Sequence, residues 1–177
     1  LQQKVCLRSW SWDAILLRNL RISSDTTLAQ AKPVVVYGGI VVDSLATLTL
    51  AEGLTLYFHG DAGITVYGTL RSLGSQSNPV VLRGDRLDHM FDYLPYDRVS
   101  GQWRGIHFYG SSSYNSFKYF DLHSATDAMV CDSSEVTDWQ MLKLENVSIH
   151  NCKGYGLAAT NCKVVIYNFL ISNTLGD

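Results

Sequence analysis

Residues 142–151 read LKLENVSIHN, and residues 164–173 read VVIYNFLISN. The second stretch repeats the first 22 positions later, so that the apolar and asparagine positions Leu144, Asn146, Ile149 and Asn151 correspond to Ile166, Asn168, Ile171 and Asn173. A fixed period of this size is typical of a solenoid, in which one structural unit stacks on the next. The recurrence therefore predicts a repeat fold.

A weaker copy lies upstream, at a spacing of 27 positions. It aligns Phe117, Phe120, Leu122 and Ser124 with Leu144, Val147, Ile149 and Asn151. The additional length fits best in the polar stretch Cys131–Asp138, where a loop can leave the repeat without disturbing its interior.

Between residues 34 and 83, short runs rich in β-branched and aromatic residues are separated by glycines. Apolar residues alternate in several runs, such as Leu54–Leu56 and Ile64–Val66, which indicates strands with one buried face. A sandwich of hairpins is the alternative, but the chain lacks the Asn-Gly and Asp-Gly turns that tight hairpins prefer. We therefore predict an all-β protein that folds as a right-handed, single-stranded parallel β-helix.

Residues 1–33 do not follow the repeat, and they contain Trp10 and Trp12. We predict that they form an N-terminal cap, with a helical turn over residues 27–32 that ends at Pro33. Residues 34–177 are then the coils, with a long insertion at 84–102. Because the last repeat stops in mid-coil, we expect a truncated C-terminal end that further coils or a second copy of the chain would cover.

Composition excludes some functions. Charged residues are only 17% of the chain, its net charge is -2 and no cluster of Lys and Arg is present, so a nucleic-acid partner is not expected. No apolar run reaches the roughly 18 residues of a transmembrane helix. The four cysteines are too few for a disulfide scaffold, and we favour buried free thiols over a bridge such as one between Cys152 and Cys162.

The 84–102 insertion is the candidate binding site, because it concentrates ionisable and aromatic side chains on a loop held by a rigid scaffold. Its candidate residues, with the tryptophan that follows it, are Asp85, Arg86, Asp88, His89, Asp92, Tyr93, Tyr96, Asp97, Arg98 and Trp103. One interpretation is glycan binding, for which Tyr93, Tyr96 and Trp103 would supply ring faces. Another is a structural loop that Asp–Arg pairs hold in place and whose residues Met90, Phe91 and Leu94 cover the coil beneath.

Two chemical alternatives use the carboxylates of the loop. A pair of them, with an arginine or His89, could cleave a polysaccharide by acid–base catalysis. Asp85, Asp88 and Asp92 could instead bind Ca²⁺, although their spacing is not that of an EF-hand. No other cofactor is expected. We predict no metal cluster, because His107, His123 and His150 fall on separate coils without a second type of ligand nearby.

The segments LTLYFHGDAG (54–63), 83–97 and WRGIHF (103–108), together with the asparagine-bearing repeats, resemble uncharacterised secreted right-handed parallel β-helix proteins of anaerobic gut bacteria. The resemblance implies export to the periplasm or cell surface and a distant relationship to pectate-lyase-like enzymes and adhesins. No catalytic motif of those enzymes matches a position here. We therefore expect a non-catalytic β-helix that binds glycan or another surface macromolecule, with a polysaccharide-degrading lyase or hydrolase as the alternative.

Overall fold

The computed structural model describes residues 13–29, 31–136 and 138–176, and these residues form sixteen β-strands and one short 3₁₀ turn, Tyr96–Arg98. The strands are β1 (Ile15–Ile22), β2 (Thr26–Leu28), β3 (Val34–Val42), β4 (Thr47–Leu50), β5 (Thr55–Phe58), β6 (Ile64–Val66), β7 (Thr69–Leu73), β8 (Val80–Gly84), β9 (His89–Phe91), β10 (Leu94–Pro95), β11 (Ile106–Tyr109), β12 (Asn115–His123), β13 (Met129–Asp132), β14 (Gln140–Cys152), β15 (Leu157–Thr160) and β16 (Lys163–Thr174). All of them except the β9–β10 pair are joined by parallel pairing. The prediction of an all-β parallel solenoid is confirmed.

The pairing register divides the coil into three faces. Face 1 stacks seven rungs, at residues 15–18, 34–37, 55–58, 80–84, 120–123, 147–150 and 169–172. Face 2 contains β6, β11, β13, β15 and the ends of β1 and β3, and face 3 contains β2, β4, β7 and the first halves of β12, β14 and β16. The chain therefore makes about seven turns around one interior.

Both predicted repeat spacings match the pairing. Leu144 pairs with Ile166 and Ile149 with Ile171, as the shorter period requires. Phe117 pairs with Leu144 at the longer spacing. The additional length was placed slightly too early, because Cys131 and Asp132 complete strand β13 and pair with Phe108 and Tyr109. In this turn of the solenoid, the additional residues lie between the end of β13 at Asp132 and the start of β14 at Gln140.

Asparagines at the corners of the coil adopt left-handed backbone conformations. Asn146 and Asn168 have φ values of +55° and +52°, and Asn151 and Asn173 have values of +55° and +53°. Asn tolerates this region better than most residues, so a single Asn can turn the chain from one face to the next. Equivalent asparagines stack on neighbouring coils, and their side chains bond to each other: the Asn168 Nδ2 atom donates to Asn146 Oδ1 at 2.6 Å, and Asn173 Nδ2 donates to Asn151 Oδ1 at 2.5 Å.

Residues 1–33 differ from the prediction where they are described. Ile15–Ile22 pairs in parallel with Val34–Val42, so the coil extends upstream of residue 34. Thr26–Leu28 is a strand on β4, so the helical turn predicted from residue 27 is wrong at that point. Residues 1–12, with both tryptophans and Cys6, lie outside the described part, and the capping role stays a prediction.

The interior is a continuous stack of apolar side chains contributed by all three faces, of which the largest fully buried members are Trp103, Phe58, Phe108, Phe117 and Phe120. Burial of this kind is the dominant stabilising term in folding. Cys131, Cys152 and Cys162 are free thiols, and the first two are buried, as predicted. The described residues contain no helix long and apolar enough to cross a membrane.

The last strand, β16, pairs with β14 along one edge, and its apolar residues Ile166, Leu170 and Ile171 are largely exposed. Residues 163–174 continue the coil rather than folding over it. The expectation that further coils or a second copy cover this edge stays a prediction.

Candidate functional site

The insertion between β8 and β11 is a projecting hairpin with a folded base. After Gly84 the chain forms the short antiparallel pair β9–β10, then the 3₁₀ turn, and it returns to the coil before β11. Leu94 pairs with Phe91 across the hairpin. We call residues 85–102 the insertion loop, and Met90, Phe91 and Tyr93 the hairpin tip.

The hairpin tip carries exposed aromatic rings. The centroids of the Phe91 and Tyr93 rings are 5.7 Å apart and their planes differ by 13°. Their exposed fractions are 55% and 80%, and that of Met90 is 45%. The interpretation in which Met90 and Phe91 cover the coil beneath is therefore wrong for these two residues, because they face solvent.

Charged side chains organise the stem of the hairpin. The Arg86 guanidinium donates to both carboxylate oxygens of Asp88, at 2.9 and 2.7 Å, and lies 3.8 Å from the centre of the Tyr96 ring. The hydrogen bonds from Arg86 hold the pKa of Asp88 below its ordinary value. This Asp–Arg pair agrees with the interpretation of a loop held by such pairs, and the Arg86 guanidinium covers one face of the Tyr96 ring.

Asp97 fastens the base of the loop to face 1. Its Oδ1 atom accepts from Arg83 Nη2 at 2.6 Å and lies 2.8 Å from His123 Nε2. Its backbone carbonyl accepts from the Ser124 hydroxyl at 3.0 Å. These partners come from two rungs of face 1, so one loop residue connects neighbouring coils.

Beneath Asp97, two histidines and a second aspartate meet on the outer side of face 1. Asp121 Oδ1 lies 2.6 Å from His123 Nδ1, and Asp121 Oδ2 lies 3.3 Å from His150 Nε2. The two imidazole rings stack with centroids 4.6 Å apart. We call Asp97, Asp121, His123 and His150 the His–Asp cluster.

Ionisation within the cluster follows from its contacts. Burial raises the pKa of Asp121, but hydrogen bonds from His123 and His150 outweigh it and leave the pKa well below the usual range. The hydrogen bond to Asp121 raises the pKa of His150. A charged carboxylate is thus retained in a mostly buried position because two imidazoles face it.

The cluster corrects the sequence prediction about the histidines. His123 and His150 are paired in register on adjacent coils, and carboxylates do gather around them. The missed signal was the longer repeat spacing, which aligns His123 with His150 as well as the apolar residues. His107 is elsewhere, on face 2, stacked on Tyr109 with ring centroids 4.2 Å apart.

The remaining predicted site residues are dispersed. Trp103 is buried, stacks on Phe58 at 4.2 Å and donates from Nε1 to the His123 carbonyl at 2.9 Å, so it cannot present a ring to a ligand. Asp85 lies 2.7 Å from His59 Nδ1, outside the cluster. The last three candidates are exposed on the loop: His89, Asp92 and Arg98.

A shallow pocket of about 270 Å³ lies on face 2, away from the insertion loop. Arg104, His107, Tyr109 and Asp127 are among its lining residues. The Nε2 atom of His107 is buried there and has no hydrogen-bond partner among the described residues. No sequence pattern indicates this pocket, since its lining residues come from three coils of unequal length.

Comparison with known proteins found no family model, no curated protein and no solved structure that matches this chain.

Proposed function

We propose that this protein is a non-catalytic binding module for a glycan, which it contacts with the hairpin tip. The observation that carries the proposal is the stacked pair of Phe91 and Tyr93, exposed on a hairpin whose base is fastened to the solenoid. Contiguous exposed apolar surface is typical of sites at which a protein binds a partner or ligand.

The chemistry of the tip suits a sugar. Aromatic faces pack against the C–H faces of a pyranose ring, and nearby planar polar groups bond its hydroxyls. Asp92 lies in the turn between the two rings and is exposed, and Arg86 and Asp88 stand at the stem. The hairpin tip and its stem therefore offer apolar and polar contacts over a short distance.

The fastened base supports tight binding. A loop that must become ordered on binding loses conformational entropy, which weakens its affinity. Here Asp97 bonds to Arg83 and His123, and Gln102 Nε2 donates to the Val99 carbonyl at 2.8 Å. The rings are thus held in place before the ligand arrives.

The occupied carboxylates of the loop favour binding over cleavage. Glycoside hydrolysis requires two carboxyl groups that face the substrate. Asp88 is bonded to Arg86, Asp97 to Arg83 and Asp85 to His59. The resemblance to secreted β-helix proteins supports placing the binding in the periplasm or at the cell surface.

A glycan array and a polysaccharide-cleavage screen, each with and without Ca²⁺, test the proposal. We expect binding without cleavage, and we expect Tyr93→Ala to weaken it about tenfold or more. The matched control is Tyr167→Ala, which removes a tyrosine that is 57% exposed on the last strand. Cleavage of any polysaccharide, or equal affinities of the two variants, would overturn the proposal.

A further inference from the structure

We propose that the His–Asp cluster is a binding site for a divalent first-row transition metal ion, with Zn²⁺ as its reference ion and with Asp121, His123 and His150 as the ligands. This inference goes beyond glycan binding and rests on different residues. In the described part of the chain, these three side chains form the one group of potential metal ligands whose donor atoms all lie within 4.8 Å of one another.

One donor distance already fits a tetrahedral site, and the rest of the site must adjust. The stacked His123 and His150 rings, whose planes differ by 16°, must rotate because an ion bonds in the plane of each imidazole. Bonds of about 2.0–2.1 Å from Zn²⁺ to nitrogen and oxygen place neighbouring ligand atoms about 3.3 Å apart. His150 Nε2 and Asp121 Oδ2 are already 3.3 Å apart. His123 Nδ1 lies closer to Asp121, at the hydrogen-bond distance of 2.6 Å, so this pair must move slightly apart to admit an ion.

Asp97 occupies the position of an outer-sphere partner. A histidine that binds a metal through one nitrogen usually donates the N–H of the other to a carboxylate or carbonyl, which fixes the ring. His123 Nε2 is 2.8 Å from Asp97 Oδ1 while its Nδ1 faces Asp121. Without a metal, both nitrogens can donate only when the ring carries two protons. When a metal ion is bound, His123 Nδ1 is its ligand and the Nε2–H group still donates to Asp97.

The donor set selects the class of ion. Two imidazoles and one carboxylate suit Zn²⁺ and neighbouring transition metals, whereas Ca²⁺ and Mg²⁺ prefer oxygen ligands. Access is asymmetric: the His123 side chain is 7% exposed, but that of His150 is 30% exposed. An ion could therefore enter beside His150. With three protein ligands, it would retain one open coordination position for water.

His150 must change its hydrogen bonds to bind the metal ion. Its Nδ1 atom lies 3.0 Å from Asn151 Nδ2, which can only donate, so the proton of the neutral ring lies on Nε2. Metal binding at Nε2 moves that proton to Nδ1, and the Asn151 amide must turn to offer its oxygen. The turn gives up the hydrogen bonds that Asn151 makes to Asn173 and to the Asp97 carbonyl, so the Asn173 amide must turn as well.

Titration calorimetry of the metal-free protein with ZnCl₂ is the test. We expect one Zn²⁺ per chain, no binding of Ca²⁺ or Mg²⁺ at the same concentrations, and a rise in Tm with Zn²⁺. The ligand variants His150→Gln and Asp121→Asn should each lose about 100-fold or more in affinity, and Asp97→Asn about 10- to 100-fold. Circular dichroism first establishes that each variant is folded.

The matched control is His59→Gln, because His59 also contacts an aspartate, Asp85 at 2.7 Å, but belongs to no group of three ligands in the described part of the chain. It should bind Zn²⁺ as the wild type does. Co²⁺ substitution should give the visible spectrum of a site with nitrogen and oxygen ligands. No Zn²⁺ binding, equal affinities for His150→Gln and His59→Gln, or a thiolate-to-cobalt charge-transfer band would overturn the proposal.

Discussion

The stacking of the coils predicts an unusual sensitivity at Gly105. This residue lies at the corner that leads into β11, with φ at +97°, where L side chains are strained. A Cβ atom built there would lie 1.7 Å from the carbonyl oxygen of Asp127 in the next coil. Cβ atoms essentially never approach other heavy atoms within 3.0 Å, so the substitution Gly105→Ala must push the two coils apart.

The cost follows from the bonds that this movement breaks. Relief of the contact requires the distance from Cβ to the Asp127 oxygen to grow from 1.7 Å to at least 3.0 Å. The hydrogen bonds from Ile106 N to Ala128 O, at 2.9 Å, and from Thr126 N to Trp103 O, at 2.6 Å, span the same gap. Two such bonds contribute about 1 kcal/mol each, and the strained backbone adds about 1–3 kcal/mol, so we expect Gly105→Ala to lower the free energy of unfolding by about 3–5 kcal/mol.

Gly60 provides the matched control. Its φ is +51°, but no heavy atom lies within 4 Å of a Cβ built there. Gly60→Ala should therefore cost only the left-handed strain, about 1 kcal/mol. Urea unfolding of both variants, followed by circular dichroism, measures the difference. Equal losses would refute the argument, because they would mean that the coils are not in close contact at Gly105.

Three further predictions concern the loop, a corner and the thiols. Asp97→Ala should leave the Nε2 atom of the nearly buried His123 without its acceptor, lower the free energy of unfolding by about 1–3 kcal/mol and speed proteolysis within residues 85–102. Asp92→Ala at the exposed tip should do neither, and equal cleavage rates of the two variants would contradict this prediction. Asn168→Ala should lower the free energy of unfolding by about 2–3 kcal/mol, because of left-handed strain and the lost hydrogen bond to Asn146. An unchanged midpoint in urea unfolding would contradict a stabilising role for the stacked asparagines. Burial raises the pKa of Cys152 to about 11, so at pH 8 mass spectrometry should find it alkylated more slowly than the half-buried Cys162. Because the unfolded thiol releases its proton near its ordinary pKa of 9.0, the stability that this raised pKa provides is complete below pH 9 and is lost as the pH rises through 11, and a Cys152→Ala variant should lose less over that range.

The fold was predictable from sequence because the period of a solenoid is encoded in its interior residues. Leu144 and Ile166 must both point inward at the same place in the coil, so their spacing gives the register directly. The corners were less predictable, because Tyr119 and Ser124 adopt left-handed φ where Asn146 and Asn151 do so one coil later. Coils of unequal length upstream removed this regularity.

The geometry of the candidate site was predictable only in part. The insertion loop was recognised from its composition, but its partners depend on where the loop returns to face 1. Asp97 contacts Arg83 and His123, which lie on different rungs of that face on either side of the loop, and no local pattern indicates that contact. Trp103 was misread because its burial depends on stacking with Phe58 from another coil.

Hydrogen–deuterium exchange with the best polysaccharide ligand from the array tests the central claim most directly, because it locates the bound ligand. The proposal predicts slower exchange in peptides that cover residues 86–96 and unchanged exchange on faces 2 and 3. Protection at the face 2 pocket around His107, or on the last strand, with no change in residues 86–96, would contradict it.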